Sequence, residues 1–102
     1  MDIELWYFSE CPNWQRAKAD VEQVAAGLGI EVSVTTRAIE TQDRAIELGF
    51  TGSPTLVING EDPFADPSAP VGLACRIYRT EDGLAGSPSL RQLEKALTDR
   101  IS

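Results

Sequence analysis

Histidine is absent from the 102 residues. Cys–His and Ser–His catalysis within the chain are therefore excluded. A zinc site would have to be built from cysteine and carboxylate alone, a poor donor set for structural zinc. Cysteine itself is scarce. Cys11 and Cys75 are, with Met1, the only soft ligands or nucleophiles. Positive charge is scarce too: nine Lys and Arg stand against sixteen Asp and Glu, a net charge of −7. Nucleic-acid binding needs clustered cations that displace counterions from phosphates, so no nucleic acid is expected as partner. An anionic membrane surface is disfavoured for the same reason. No apolar run approaches the roughly 20 residues that span a bilayer. The N-terminal MDIELWYFSE has early acids and no basic segment, so it does not read as a signal peptide. A cytoplasmic location is expected, with both cysteines held as thiols.

What is present fits one globular domain over residues 1–102, with 42% apolar and 25% charged residues. Residues 3–8, IELWYF, are β-branched and aromatic and predict a buried strand. After Ser9-Glu10 the apolar positions Trp14, Ala17, Val21, Val24, Ala25 and Leu28 trace one helix face. Pro12 suits the first helical position, and Gly27 and Gly29 supply a stop. Residues 30–35, IEVSVT, alternate as a second strand. Thr41 caps a short helix through Leu48, ended by Gly49. Residues 55–58, TLVI, predict a third strand before an Asn59-Gly60 turn. Residues 61–74, EDPFADPSAPVGLA, form a long connection of the kind that is mobile or functional. CRIYR, residues 75–79, predicts a fourth strand, and Thr80 to Gly86 a turn. Leu90, Leu93, Leu97 and Ile101 mark a last helix.

The order β-α-β-α-β-β-α implies an α/β fold. Its first β-α-β unit is expected to be parallel and right-handed. With no helix between strands three and four, an antiparallel pair is the simplest arrangement.

FSECPNW, residues 8–14, places Cys11-Pro12 where the first strand meets the first helix. A helix N-terminus presents unpaired N–H groups and about half a positive charge, which favour a thiolate. Cys11 is thus a candidate nucleophile; packed as a small hydrophobe it would be inert. Trp14 stands three residues on and reads as a helix-face core residue or a platform beside the site.

Cys11-Pro12 at that junction, together with Gly52-Ser53-Pro54-Thr55 before the third strand, resembles the thioredoxin/glutaredoxin-like superfamily. The resemblance implies a three-layer α/β/α sandwich with a four-stranded mixed sheet. It also implies a cis proline at Pro54 facing the cysteine. On this resemblance Cys11 is the catalytic thiol, and Pro12, Asn13, Trp14, Ser53 and Pro54 line the substrate groove. No cofactor is implied, though glutathione could serve as co-substrate. The partners would be a thiol or disulfide substrate or a small protein. The motif departs from the dithiol C-x-x-C because Trp14 holds the fourth position, where monothiol glutaredoxins often have serine. A single-cysteine oxidoreductase is then the leading reading, and a non-catalytic binding module the alternative.

A weaker likeness is to the core of the organomercurial (alkylmercury) lyases, which hold mercury between two distant cysteines. The aspartate that family carries three residues after its first cysteine is Trp14 here. Cys75 is the possible second thiol. Its alternation with Ile77 and Arg79 reads as core packing. If CRIYR runs antiparallel to TLVI, Cys75 starts at the sheet end away from Cys11, about 17 Å off and beyond disulfide reach. The 61–74 loop could instead carry it back over the site.

Overall fold

The first strand, β1 (Asp2–Tyr7), is central to a three-stranded sheet of order β2-β1-β3. It runs parallel to β2 (Ser33–Ala38), with Ile3 opposite Val34, and antiparallel to β3 (Thr55–Ile58), with Leu5 opposite Leu56. The computed structural model describes residues 1–101; Ser102, the end of the domain expected over 1–102, lies outside the described residues. Period-two alternation turns Ile3 and Leu5 of β1 and Leu56 and Ile58 of β3 to one face. There they meet two helices, α1 (Asn13–Leu28) through Ala17, Val21 and Ala25, and α3 (Leu90–Thr98) through Leu93, Ala96 and Leu97. α2 (Gln42–Leu48) serves the other face, where Ile39, Ala45 and Phe50 form a smaller core against Trp6, Phe8 and Leu73. Three helices around a mixed sheet are compatible with a thioredoxin-like fold.

Local chemistry sets the element ends. Gly29 adopts a left-handed conformation, and Ile30 N–H closes back on Ala25 O at 2.9 Å, as helix C-caps do. This consumes residue 30, so β2 begins three residues later than the alternation of IEVSVT suggests, at Ser33, whose N–H reaches Met1 O. Thr41 caps α2 by accepting from Arg44 N–H. Ser89 and Gln92 form a reciprocal capping box on α3. The α3 stripe is narrower than the leucine spacing suggests, because Leu90 and Ile101 are exposed.

The expected four-stranded sheet is not what forms. Tyr78–Thr80 is β4, and it pairs antiparallel with β5 (Gly83–Ala85) in a separate hairpin. Asp82-Gly83 is the turn signal behind it. Between β3 and β4 the chain returns before it pairs. Asp62-Pro63 and Asp66-Pro67 make two successive turns, each carboxylate accepting from the N–H two residues on. Gly72 N–H then bonds Phe50 O, and Leu73 N–H bonds the Gln42 side chain. The chain so re-enters at the sheet end where β3 starts, and Cys75 forms a parallel bridge with Ser53. A tight turn does form at Asn59-Gly60, where Ile58 and Glu61 exchange both backbone hydrogen bonds, but the antiparallel pairing ends there.

The alternation of CRIYR holds, but its inward face is the opposite of the one expected. Arg76 and Tyr78 are buried, while Cys75, Ile77 and Arg79 are exposed. Arg76 is tolerated inside because both terminal nitrogens of its guanidinium are hydrogen-bonded. Nη1 pairs with Asp62 Oδ2 at 2.7 Å and donates to Thr55 Oγ1 at 3.3 Å, and Nη2 donates to Phe64 O. The group also lies 4.7 Å from the centre of the Tyr78 ring. Phe64, edge-on to Tyr78, completes the cluster.

Removing one partner of a buried ion pair leaves the other charge uncompensated. Asp62→Asn is expected to lower unfolding free energy by about 2–3 kcal/mol. It should also expose the Arg76–Ile77 bond to trypsin. Denaturant midpoints and the rate of that single cleavage check this; unchanged cleavage would mean that Asp62 does not hold the segment.

Candidate functional site: the Cys11–Cys75 pair

Cys11 lies between the end of β1 and the start of α1. Its N–H bonds Phe8 O at 2.9 Å, closing the turn that delivers it. Pro12 takes the N-cap position, with φ −76°, and offers no side-chain cap; the first turn carries no acidic residue. The helix-end N–H groups next to Cys11 are thus left for another acceptor. Ser9 N–H and Oγ both donate to the Glu40 carboxylate, fixing the approach to the turn.

Cys11 is disulfide-bonded to Cys75 across 64 residues, with the Cα atoms 5.8 Å apart. That separation is inside the roughly 4.4–6.8 Å usual for disulfides. The expectation that Cys75 sits at the far end of the sheet is therefore corrected: the loop carries it back. The reading of Cys75 as core is corrected as well, because the residue is exposed while Cys11 is fully buried. Among the described residues there is no free cysteine.

The structure gathers several of the expected site residues around this bond. The Ser53–Pro54 peptide is cis, and both residues are buried. Ser53 O lies 3.5 Å from Cys11 Sγ, and Asn13 Nδ2 approaches the same sulfur at 3.8 Å. Pro12 is exposed beside them. Trp14 turns away to stack on Tyr7, with ring centres 4.1 Å apart, and packs against the α1–α3 core. The residue that stands in the second-cysteine position thus joins helix to strand. Ser53 is also less available than a groove wall should be: its N–H bonds Ala74 O and its C=O accepts from Arg76 N–H, both at 2.8 Å.

Two residues that the sequence did not single out, and Gly52 of the motif before β3, position Cys75. Arg76 and Asp62 anchor the segment behind it. Gly52 allows the close approach: its φ is +124°, and a Cβ there would lie 3.0 Å from Arg76 Cβ and 3.1 Å from Arg76 N. Thr55 Oγ1, which accepts from Arg76, donates in turn to Gly52 O at 2.6 Å. Tyr78 donates its hydroxyl to Pro54 O, tying β4 to the same peptide. The signals were modest, a turn-forming Asp-Pro and a charged residue inside an apolar strand.

Among the described residues no cluster of three or more Cys, Asp or Glu is arranged to hold a metal ion. Asp20 is ion-paired to Arg16 on α1. Lys18 is paired to Glu22. No helix among these residues is long and apolar enough to cross a membrane.

Gly52→Ala is expected to cost about 2 kcal/mol or more, from the left-handed backbone and the clash with Arg76. The disulfide should then be reduced faster by dithiothreitol; an unchanged rate would show that Gly52 does not seat the 74–76 segment. Burial pushes the Tyr78 phenol up, with the Asp62 charge assisting and the Arg76 charge opposing. The folded state thus holds this proton more tightly than the unfolded chain. The resulting stability is complete below about pH 10 and fades as pH rises above it. In thermal melts, Tyr78→Phe should start less stable than wild type but lose less between about pH 9 and 11. Parallel losses would place the ionising group elsewhere.

No family model matches the chain, and no solved structure matches it. The chain is similar to a thioredoxin of Methanocaldococcus jannaschii, at 38% identity over 63 residues that cover 61% of this chain and 74% of that relative. That coverage, with a cysteine at the strand–helix junction facing the Ser53–Pro54 peptide, places the chain in the thioredoxin family.

Proposed function

We propose that the protein is a thiol–disulfide oxidoreductase whose working couple is Cys11–Cys75. The observation that carries this is the 5.8 Å separation of the two Cα atoms at the N-terminus of α1. The family's redox activity supplies the context. A dithiol and a disulfide interconvert by two electrons and two protons, and the second sulfur removes the need for an external resolving thiol. This goes beyond a mechanism resting on Cys11 alone. The α1 terminus favours negative charge on the Cys11 sulfur, and Asn13 Nδ2 adds a donor on the same side. The substrate would be a small or protein-borne thiol or disulfide, and glutathione is one thiol able to serve as reductant. The lyase-like reading gains less from the geometry. The two sulfurs are near enough to share a soft metal, but Trp14 occupies the proton donor's place and is stacked on Tyr7.

Equilibration in graded thiol–disulfide buffers should give a reversible two-electron transition, with a midpoint between about −120 and −270 mV. The protein should also accelerate reduction of a disulfide-bonded protein by dithiothreitol. A midpoint below about −300 mV without such catalysis would mark a structural crosslink, and the protein as a binding module.

A further inference from the structure

The two sulfurs differ in what surrounds them. Cys11 has a relative exposure of 0%. Ser53 O, the Asn13 amide and the turn to Phe8 O enclose it. Cys75 is exposed, between the exposed Ala74 and Ile77, the latter 69% accessible. A second observation points the same way. The backbone of Ser53 lies against Cys11 Sγ, and its N–H and C=O are engaged by Ala74 and Arg76, which closes them to an incoming extended peptide. The chain's own Cys75 segment fills that place.

Resting on the redox reading above, we infer that exchange with external partners runs through Cys75, and that Cys11 is the leaving and resolving sulfur. Thiol–disulfide exchange depends on access to the attacked sulfur, and it is faster when the departing thiolate is the better stabilised one. Both conditions select the same polarity here. An incoming thiolate bonds Cys75 Sγ while the Cys75–Cys11 bond breaks, and the electron pair leaves on Cys11 Sγ at the α1 terminus. A second thiol of the reductant attacks the reductant's sulfur in the mixed disulfide and releases Cys75 as thiolate. The reductant leaves as a disulfide, and the pair has gained two electrons and, at equilibrium, two protons. In the opposite direction the Cys75 thiolate attacks a substrate disulfide and expels one substrate thiolate. Cys11 then attacks Cys75 Sγ, expels the second and restores the bond. The mixed disulfide resides on Cys75 in both directions, so the sulfur on the helix is not the one that partners meet.

Glutathione is the probe. Oxidised wild-type protein is mixed with reduced glutathione, quenched within seconds by acid and N-ethylmaleimide, and mapped by peptide mass. The expected result is glutathione on Cys75 and maleimide on Cys11, at least ten-fold over the reverse. Folded Cys11→Ser, tested by circular dichroism, should form the glutathione adduct with oxidised glutathione at least ten-fold faster than folded Cys75→Ser. If a variant does not fold, the wild-type trap decides alone. Adducts mainly on Cys11, or equally on both, would overturn the inference and leave the redox reading intact. An adduct on Cys75 without catalysis of protein-disulfide reduction would support the polarity and overturn the redox reading instead.

Discussion

The position of Cys75 depends on a buried guanidinium. Arg76 sits within the protein because Asp62, Thr55 and the Phe64 carbonyl all meet it. These partners come from the start of β3 and from the first turns of the long connection, so one side chain ties both to the segment that carries Cys75. Such a network is strongly coupled: complete, it fixes one arrangement, and with one member missing it leaves an uncompensated charge. Gly52 is part of the same constraint, since only a residue without Cβ lets Arg76 come so near.

Placing the second sulfur on a returning loop changes what oxidation does to the chain. In a C-x-x-C motif the ring closed by the disulfide is minimal. Here the crosslink spans 64 residues, and loop closure on that scale contributes about 4 kcal/mol in a chain-entropy account. The redox state of the pair is thus linked to the stability of the entire sheet-and-helix unit. Trp14 is freed from sulfur chemistry and serves packing, joining α1 to β1 by its stack on Tyr7.

The two sulfurs are also unequal in environment. One sits at a helix terminus with no side-chain cap and the other on an exposed return. The Cys75 segment reaches its place by backbone hydrogen bonds to Ser53 on both sides. The peptide preceding the cis proline is therefore an intramolecular docking point here, and the sulfur it docks is the more accessible of the pair.

Much of this was legible in the residues. The β-branched and aromatic run of β1, the stripe of α1, the cap at Thr41 and the glycines that end the first two helices are local signals, set by dihedral preference and by the need to satisfy end groups. So was Cys11 at a strand–helix junction, because that placement depends only on neighbours in the chain. The late start of β2 was missed by the alternation, and the β4–β5 hairpin was legible only as a turn over Thr80 to Gly86. The partner of Cys11 was not, nor was the inward face of residues 75–79. Local alternation gives a period but no direction, and burial of Arg76 rather than Cys75 follows from a carboxylate fourteen residues earlier. Which segments become helix and strand, and where one thiol meets a helix end, follow from residues close together in the chain. The return of the chain after β3 follows instead from packing, because it is held by contacts between residues distant in sequence, and it is the return that brings a second sulfur to the first.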